Sequence, residues 1–415
     1  MNFFLVIILF ILIGNYLLDL IVDTLNVQHV RTDLPKEFEG YYNATEYRES
    51  QEYLRENTRF EIFTDSIITP ISIAFILLGG FNIVDQFARS FGLGSIPTGL
   101  IFAGTLLFAS QILLIPFSIY NVFVIEEKYG FNRTTPKTFI MDILKMWLLT
   151  AVIGGVIFSV VLWFFEKAGP LAWFYCWVAV TVFQLFLAFI APVTIMPLFN
   201  KFIPLEDGPL KKAIEEYARS QHFKIKGVFT MDASKRSAKS NAFFTGFGRY
   251  RRIVLFDTLV EKHTIEELVS VLAHEIGHYK KKHILKSLGI SILTTALMFF
   301  VLSLFMNNRE LFAAFKMEEV SIYGSIFFFG FLYHPIELIL SIFGNILSRT
   351  HEYQADAYAV KTYDKPQSTI TALKKLSVEN LSNLTPHPLK VFLSYSHPPV
   401  LERIKAIREL SAKVY

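Results

Sequence analysis

Seven long apolar runs dominate this chain and restrict what it can fold into. They lie near residues 3–23, 64–86, 98–124, 142–165, 171–198, 284–306 and 320–346. Each holds about the 20 apolar residues that a helix needs to cross a bilayer's hydrocarbon core. Over the whole chain 53% of residues are hydrophobic and only 18% are charged, where a soluble domain of this size would carry nearer a quarter charged. The first run, "FFLVIILFILIGNYLLDLIV", has no basic flank before it and no small-residue cleavage site, so it reads as a retained first span. The fold class expected is mainly α, a polytopic membrane protein with seven transmembrane helices.

Charge sets an orientation. With seven spans, the connections near 23–64, 124–142 and 198–284 share one side with the C-terminus. That side carries Arg31, Lys36, Arg48, Arg55, Arg59, Lys128, Arg133 and Lys137, while the opposite loops hold little beyond Arg89, Lys167, Arg309 and Lys316. The positive-inside rule makes the basic side cytoplasmic, so the sequons at Asn43, Asn132 and Asn380 should stay unmodified. A net charge of +4 fits such loops and gives no reason to expect a nucleic-acid partner. The lone Cys176, inside an apolar run, rules out an internal disulfide and a cysteine-based metal cluster.

Between the spans lie three polar stretches. Residues 24–63, with spaced aromatics among charges, read as helix at the membrane surface. Residues 200–283 and 347–415 are expected to pack together as one cytoplasmic domain, since neither alone promises a large core. The expected division is therefore 1–199 for spans one to five, 200–283 for the first catalytic part, 284–346 for spans six and seven, and 347–415 for the second catalytic part.

The stretch "TIEELVSVLAHEIGHYKKKH" carries the chemistry. Thr264 and Glu267 form a capping box, and Ile265, Leu268, Val269, Leu272 and Ile276 recur on one helical face. On such a helix His274 and His278 project about 40° apart, and Glu275 lies about 60° beyond His278. Two imidazoles can then bind one Zn²⁺ while the carboxylate reaches its water, which is the physical content of H-E-x-x-H. A third ligand is needed, and Glu352 in "SRTHEYQADAYAV" can supply it. Asp356, one turn on, can hydrogen-bond the outer nitrogen of a ligating histidine. A solvated acidic helix face is the bland alternative for that pair.

"HEIGH" followed by "SRTHEYQADAYA" resembles the Ste24-type CAAX prenyl proteases, integral-membrane zinc peptidases of family M48. The resemblance extends through "LPKEFEGYYNATEYRESQEYLRENTRF", "VIEEKYGFNRTTPKTFIMDILK", "APVTIMPLFNKFIPLEDGPL", "SNAFFTGFGRYRRIVLFDTL" and "YSHPPVLERI". It implies seven helices around a water-filled chamber, a zinc-peptidase domain with a small β-sheet at the cytoplasmic face, and one Zn²⁺ per chain. It implies His274, His278 and Glu352 as ligands, Glu275 as general base, and Asp356 behind a ligand. Asn241 matches the edge strand along which a peptide would lie, although "NAFFTG" lacks the two tyrosines common there. His397 matches a histidine that stabilises the oxyanion, with Arg403 beside it. The implied substrate is a peptide or protein tail, prenylated or membrane-associated, losing its C-terminal tripeptide to a monomeric enzyme in the bilayer. The membrane would be the inner membrane in a bacterium and the endoplasmic reticulum in a eukaryote. Rival readings are a quality-control protease without prenyl specificity and an inactive membrane scaffold. Site-2-type intramembrane proteolysis fits less well, because its motif lies inside an apolar span.

Other histidines look bland. His222, His263, His283, His351 and His387 show no partner pattern and are expected at surfaces or interfaces. Lys280, Lys281, Lys282 and Lys286 are expected to anchor span six at headgroups. His334 and Glu337, near the middle of span seven beside Pro335, must face protein or water and are expected to line the chamber.

Overall fold

The computed structural model describes residues 2–31, 33–245 and 252–414. Among these residues seven helices are long and apolar enough to cross a membrane: Phe3–Gln28, Ala44–Leu77, Ser95–Glu126, Pro136–Lys167, Gly169–Phe199, His283–Phe305 and Ile322–Tyr363. Large apolar side chains stand out from these helices, among them Phe10, Leu148, Leu293 and Phe343. A surface of that kind would be unstable in water and is what a hydrocarbon solvent requires.

Two helices run well past the apolar windows. The polar segment before span two is no separate surface helix. From Ala44 to Leu77 the chain is one 34-residue helix, opened by a capping box between Asn43 and Glu46. Span two ends at Leu77 rather than near 86, because Gly79 takes φ 79° and turns the chain into a separate helix, Gly80–Arg89. Only glycine adopts that conformation without penalty. The seventh span likewise continues unbroken for 42 residues, Ile322–Tyr363, with Pro335 inside it. A boundary at residue 346 therefore falls inside a continuous helix.

A four-stranded sheet lies beside the HExxH helix, Ile265–Lys280. Its strands are β1 (Phe202–Pro204), β2 (Gly227–Met231), β3 (Ala242–Thr245) and β4 (Arg252–Phe256), in the order β1-β2-β4-β3. β2 and β4 are parallel; the other pairs are antiparallel, and β3 forms an edge. Val228, Ile253 and Leu255 join Leu268, Leu272 and Ile276 of the HExxH helix and Ala359 of the long helix in one core. That shared core seats the polar block against the C-terminal tail and fixes the two helices that carry the site.

Candidate active site

The HExxH helix starts where the sequence places it. Thr264 accepts from the backbone N–H of Glu267 at 3.3 Å, and Glu267 accepts from that of Thr264 at 2.8 Å. Lys375 also pairs with Glu267, at 2.8 Å, tying the helix start to Pro366–Glu379. At its other end the helix crosses Ile322–Tyr363 at Gly277. A Cβ on Gly277 would lie 3.0 Å from Cα and 3.1 Å from the carbonyl oxygen of Ala355. The missing side chain lets the two backbones approach, and Ala355 sits between Glu352 and Asp356.

That crossing brings His274, His278 and Glu352 together, with one ligand atom from each within 4.8 Å of the others. The two Nε2 atoms face each other at 3.1 Å. Glu352 offers Oε2 to Nε2 of His274 at 3.4 Å and Oε1 to Nε2 of His278 at 3.2 Å. Two imidazole nitrogens and a carboxylate converging on one point are the donor set of a catalytic zinc site with an open position. The fit is supported by Oε2 of Glu352, which is buried and accepts no hydrogen bond. A dication between these donors would satisfy it.

The outer sides of the ligands are held as well. Asp356 lies 2.8 Å from Nδ1 of His274, which directs Nε2 of that ring toward the donor cluster. Arg403, from the C-terminal helix, grips Asp356 with two hydrogen bonds of 2.8 and 2.7 Å and lies 3.3 Å from Glu352. Burial opposes a charge on His274, but its contacts with Asp356 and Glu352 outweigh burial and lift its pKa to about 10. A field that favours positive charge this strongly suits a cation. Burial lifts the Glu275 carboxyl above its ordinary range, with His274 and His278 pulling the other way. This is the direction that helps a carboxylate act as a base near neutral pH.

His397 also faces the cluster, with Nε2 3.5 Å from Oε1 of Glu352 and its side chain 65% exposed, open to an incoming ligand. The guanidinium of Arg403 is engaged on Asp356 and Glu352. Asn241 immediately precedes edge strand β3, and its side chain accepts from the N–H of Ala242 at 2.8 Å. It is not in contact with the histidine cluster. The residues joining β3 to β4, part of the quoted "SNAFFTGFGRYRRIVLFDTL", lie outside the described residues.

Of the histidines expected at surfaces or interfaces, His263, His283 and His351 are buried between packed elements. His283 and His351 are 2% and 4% exposed and stack face to face at 3.9 Å. His263 is also buried and contacts the carbonyl of Leu259 at 3.2 Å. Single histidines carry no periodic signal, so their sequence gave no reason to expect this. His334 and Glu337 remain partly exposed and lie 3.8 Å apart. Glu337 lines a cavity of about 440 Å³ with Ser287, Ser291, Thr294 and Thr295 of the sixth span.

The chain matches two family models in sequence. Residues 23–201 match the CAAX prenyl protease N-terminal model, described as five membrane helices, and residues 204–411 match peptidase family M48. The chain belongs to peptidase family M48. Among its relatives, CAAX prenyl protease 1 of Saccharomyces cerevisiae is 36% identical over 408 residues, covering 92% of this chain and 90% of the relative. The human CAAX prenyl protease 1 homolog is 32% identical, covering 91% and 89%. The crystal structure of S. mikatae Ste24p superposes with a TM-score of 0.93 at 35% identity, covering 97% of this chain and 99% of that one. This M48 protein is thus an integral-membrane metallopeptidase. The His274, His278 and Glu352 cluster lies within the part of the chain that matches the M48 model.

Proposed function

We propose that this M48 peptidase binds one Zn²⁺ through His274, His278 and Glu352 and cleaves peptide bonds near the C-terminus of prenylated or otherwise membrane-associated substrates. The observation that carries the reading is the convergence of those three donors beside a half-buried Glu275, next to helices long and apolar enough to cross a membrane. Zinc held there would supply Lewis acidity and an acidified water. Glu275 takes the proton from the attacking water and returns it to the leaving amine. His397 donates a hydrogen bond to the oxygen on which negative charge develops. Asp356 and Arg403 hold the ligand side chains in place. A substrate in extended form adds to β3, and main-chain hydrogen bonds beginning near Asn241 set its register.

The CAAX substrate class is supported by the names of the relatives, which cover most of this chain at 32–36% identity. The loop charges support a cytoplasmic site, as expected from a substrate tail reaching it from the bilayer surface. The division at 199, 283 and 346 follows function: spans, first ligand helix, spans, third ligand and tail. One experiment tests the reading. Purified protein is analysed for zinc and offered a farnesylated CAAX peptide and its unprenylated form. One zinc per chain with cleavage confined to the prenylated peptide is expected. Equal cleavage of both would replace it with a membrane protease lacking prenyl specificity, and metal-free protein active on either would end the zinc assignment. Glu275→Gln is expected to keep the zinc and lose at least about 100-fold in turnover.

A further inference from the structure

His283 lies five residues after His278, a spacing that no regular helix would turn toward the metal site. It gets there because the HExxH helix stops. Lys282 adopts the left-handed conformation, φ 59°, and His283 begins the sixth span. The turn sends its imidazole back to the outer edge of His278, Nδ1 to Nδ1 at 3.1 Å. The other nitrogen of His283, Nε2, lies 3.0 Å from Oε1 of Gln354. His351 covers the face of the ring at 3.9 Å with the planes 11° apart. Gln354 and His351 both belong to the helix that carries Glu352.

We propose that His283 is a positioning residue that sets the tautomer and tilt of His278. Gln354 and His283 form a directional chain. The carboxamide oxygen of Gln354 only accepts, so it takes the Nε2–H of His283. Nδ1 of His283 is then bare and accepts the Nδ1–H of His278. That leaves the lone pair on Nε2 of His278 for a metal, beside the similarly directed Nε2 of His274. The reverse chain would put a hydrogen on Nε2 of His278 and block ligation. His274 gets its orientation from a carboxylate and His278 from a neutral imidazole. The stacked His351 holds His283 in the plane that the hydrogen bond needs. The first turn of span six thereby becomes part of the metal site.

This rests on His278 being a ligand, and the test separates the two claims. Full-length protein in detergent is titrated with Zn²⁺ against a chelating dye, and the Co²⁺ form is examined by its visible absorption bands. His278→Ala tests ligation: it should lose stoichiometric metal, and wild-type binding would remove the basis of both claims. His283→Phe keeps an aromatic ring for His351 but no acceptor. It should weaken zinc binding by about 10- to 100-fold and alter the Co²⁺ bands, since partners behind a ligand carry effects of that size. His283→Asn, whose amide oxygen can accept from His278, should recover most of the affinity. Gln354→Leu leaves His283 in place, applies even if His283→Phe does not fold, and should weaken zinc several-fold. Wild-type affinity and unchanged Co²⁺ bands in Gln354→Leu or folded His283→Phe, with metal lost in His278→Ala, would overturn the positioning role.

Discussion

Replacing Gly277 with alanine tests whether the close crossing of two helices sets the ligand geometry. The new Cβ would stand 3.0 Å from Cα and 3.1 Å from the oxygen of Ala355, and 3.1 Å from Cβ of Tyr358. Two of those atoms belong to a helix backbone and cannot rotate away. Ordinary contact begins near 3.4 Å, so the helices must separate by about 0.3–0.4 Å. Overpacking of this kind costs about 1–3 kcal/mol, while alanine in a helix interior recovers about 1 kcal/mol over glycine. The net loss of stability is about 0–2 kcal/mol, so the variant should fold. Ligand distances tolerate only about 0.2 Å, however, and Gly277 adjoins His278 while Ala355 lies between Glu352 and Asp356. Zinc affinity should therefore fall roughly tenfold or more, and peptidase activity with it, while the melting temperature of the metal-free protein changes little. A purified variant with wild-type zinc affinity and wild-type turnover would refute the reasoning. It would mean that the crossing has slack that the ligands do not feel.

Three further outcomes follow from the same site. Because burial holds the Glu275 pKa above its ordinary range, and the base must be ionised, kcat/KM should rise with pH through a limb above about 4.3; zinc content must stay constant across that limb, and a limb at or below that value would contradict the role. Withdrawing the metal with a chelator should abolish turnover and lower the melting temperature, both reversed by zinc, with a stabilisation of about 2.7 kcal/mol at a hundredfold excess over Kd; turnover that survives metal removal would contradict the assignment. Arg403→Met leaves Asp356 buried without its cation and should cost about 3–5 kcal/mol, seen in thermal denaturation of the metal-free protein; a loss below about 1 kcal/mol would show that Asp356 does not depend on the pair.

The site was largely legible because its chemistry is local and periodic. The Thr264–Glu267 cap, the apolar stripe of the HExxH helix and the one-turn spacing of Glu352 and Asp356 are all one-dimensional signals. What stayed hidden depends on turns and on contacts between distant segments. His283 needed the left-handed Lys282, and three consecutive lysines give no hint of a turn at the last of them. The pairing of Arg403 with Asp356 joins residues 47 positions apart, and no local pattern announces it. Gly277 carries a sequence signal of its own, since a glycine inside a capped helix costs about 1 kcal/mol and calls for a packing reason. Hydropathy finds where a span is apolar but not where its helix ends, so it does not reach the polar ends of the helices at Ala44 and Tyr363.

The long helix Ile322–Tyr363 has a mechanical consequence. At about 1.5 Å per residue it extends about 63 Å, twice the roughly 30 Å of bilayer hydrocarbon. Its outer half therefore works as a stiff lever arm whose fulcrum lies inside the membrane. Pro335 removes a backbone hydrogen bond and is the natural place for that arm to flex. Glu352 lies about 26 Å farther along the axis, so a bend of only ~2° at Pro335 swings its carboxylate by nearly 1 Å. The HExxH helix is packed on this arm where Gly277 meets Ala355 and shares a core with it at Ala359, so the two ligand helices ride the same arc. Flexing at Pro335 would therefore carry the donor set as one unit relative to the spans, moving the site toward or away from the bilayer without opening it.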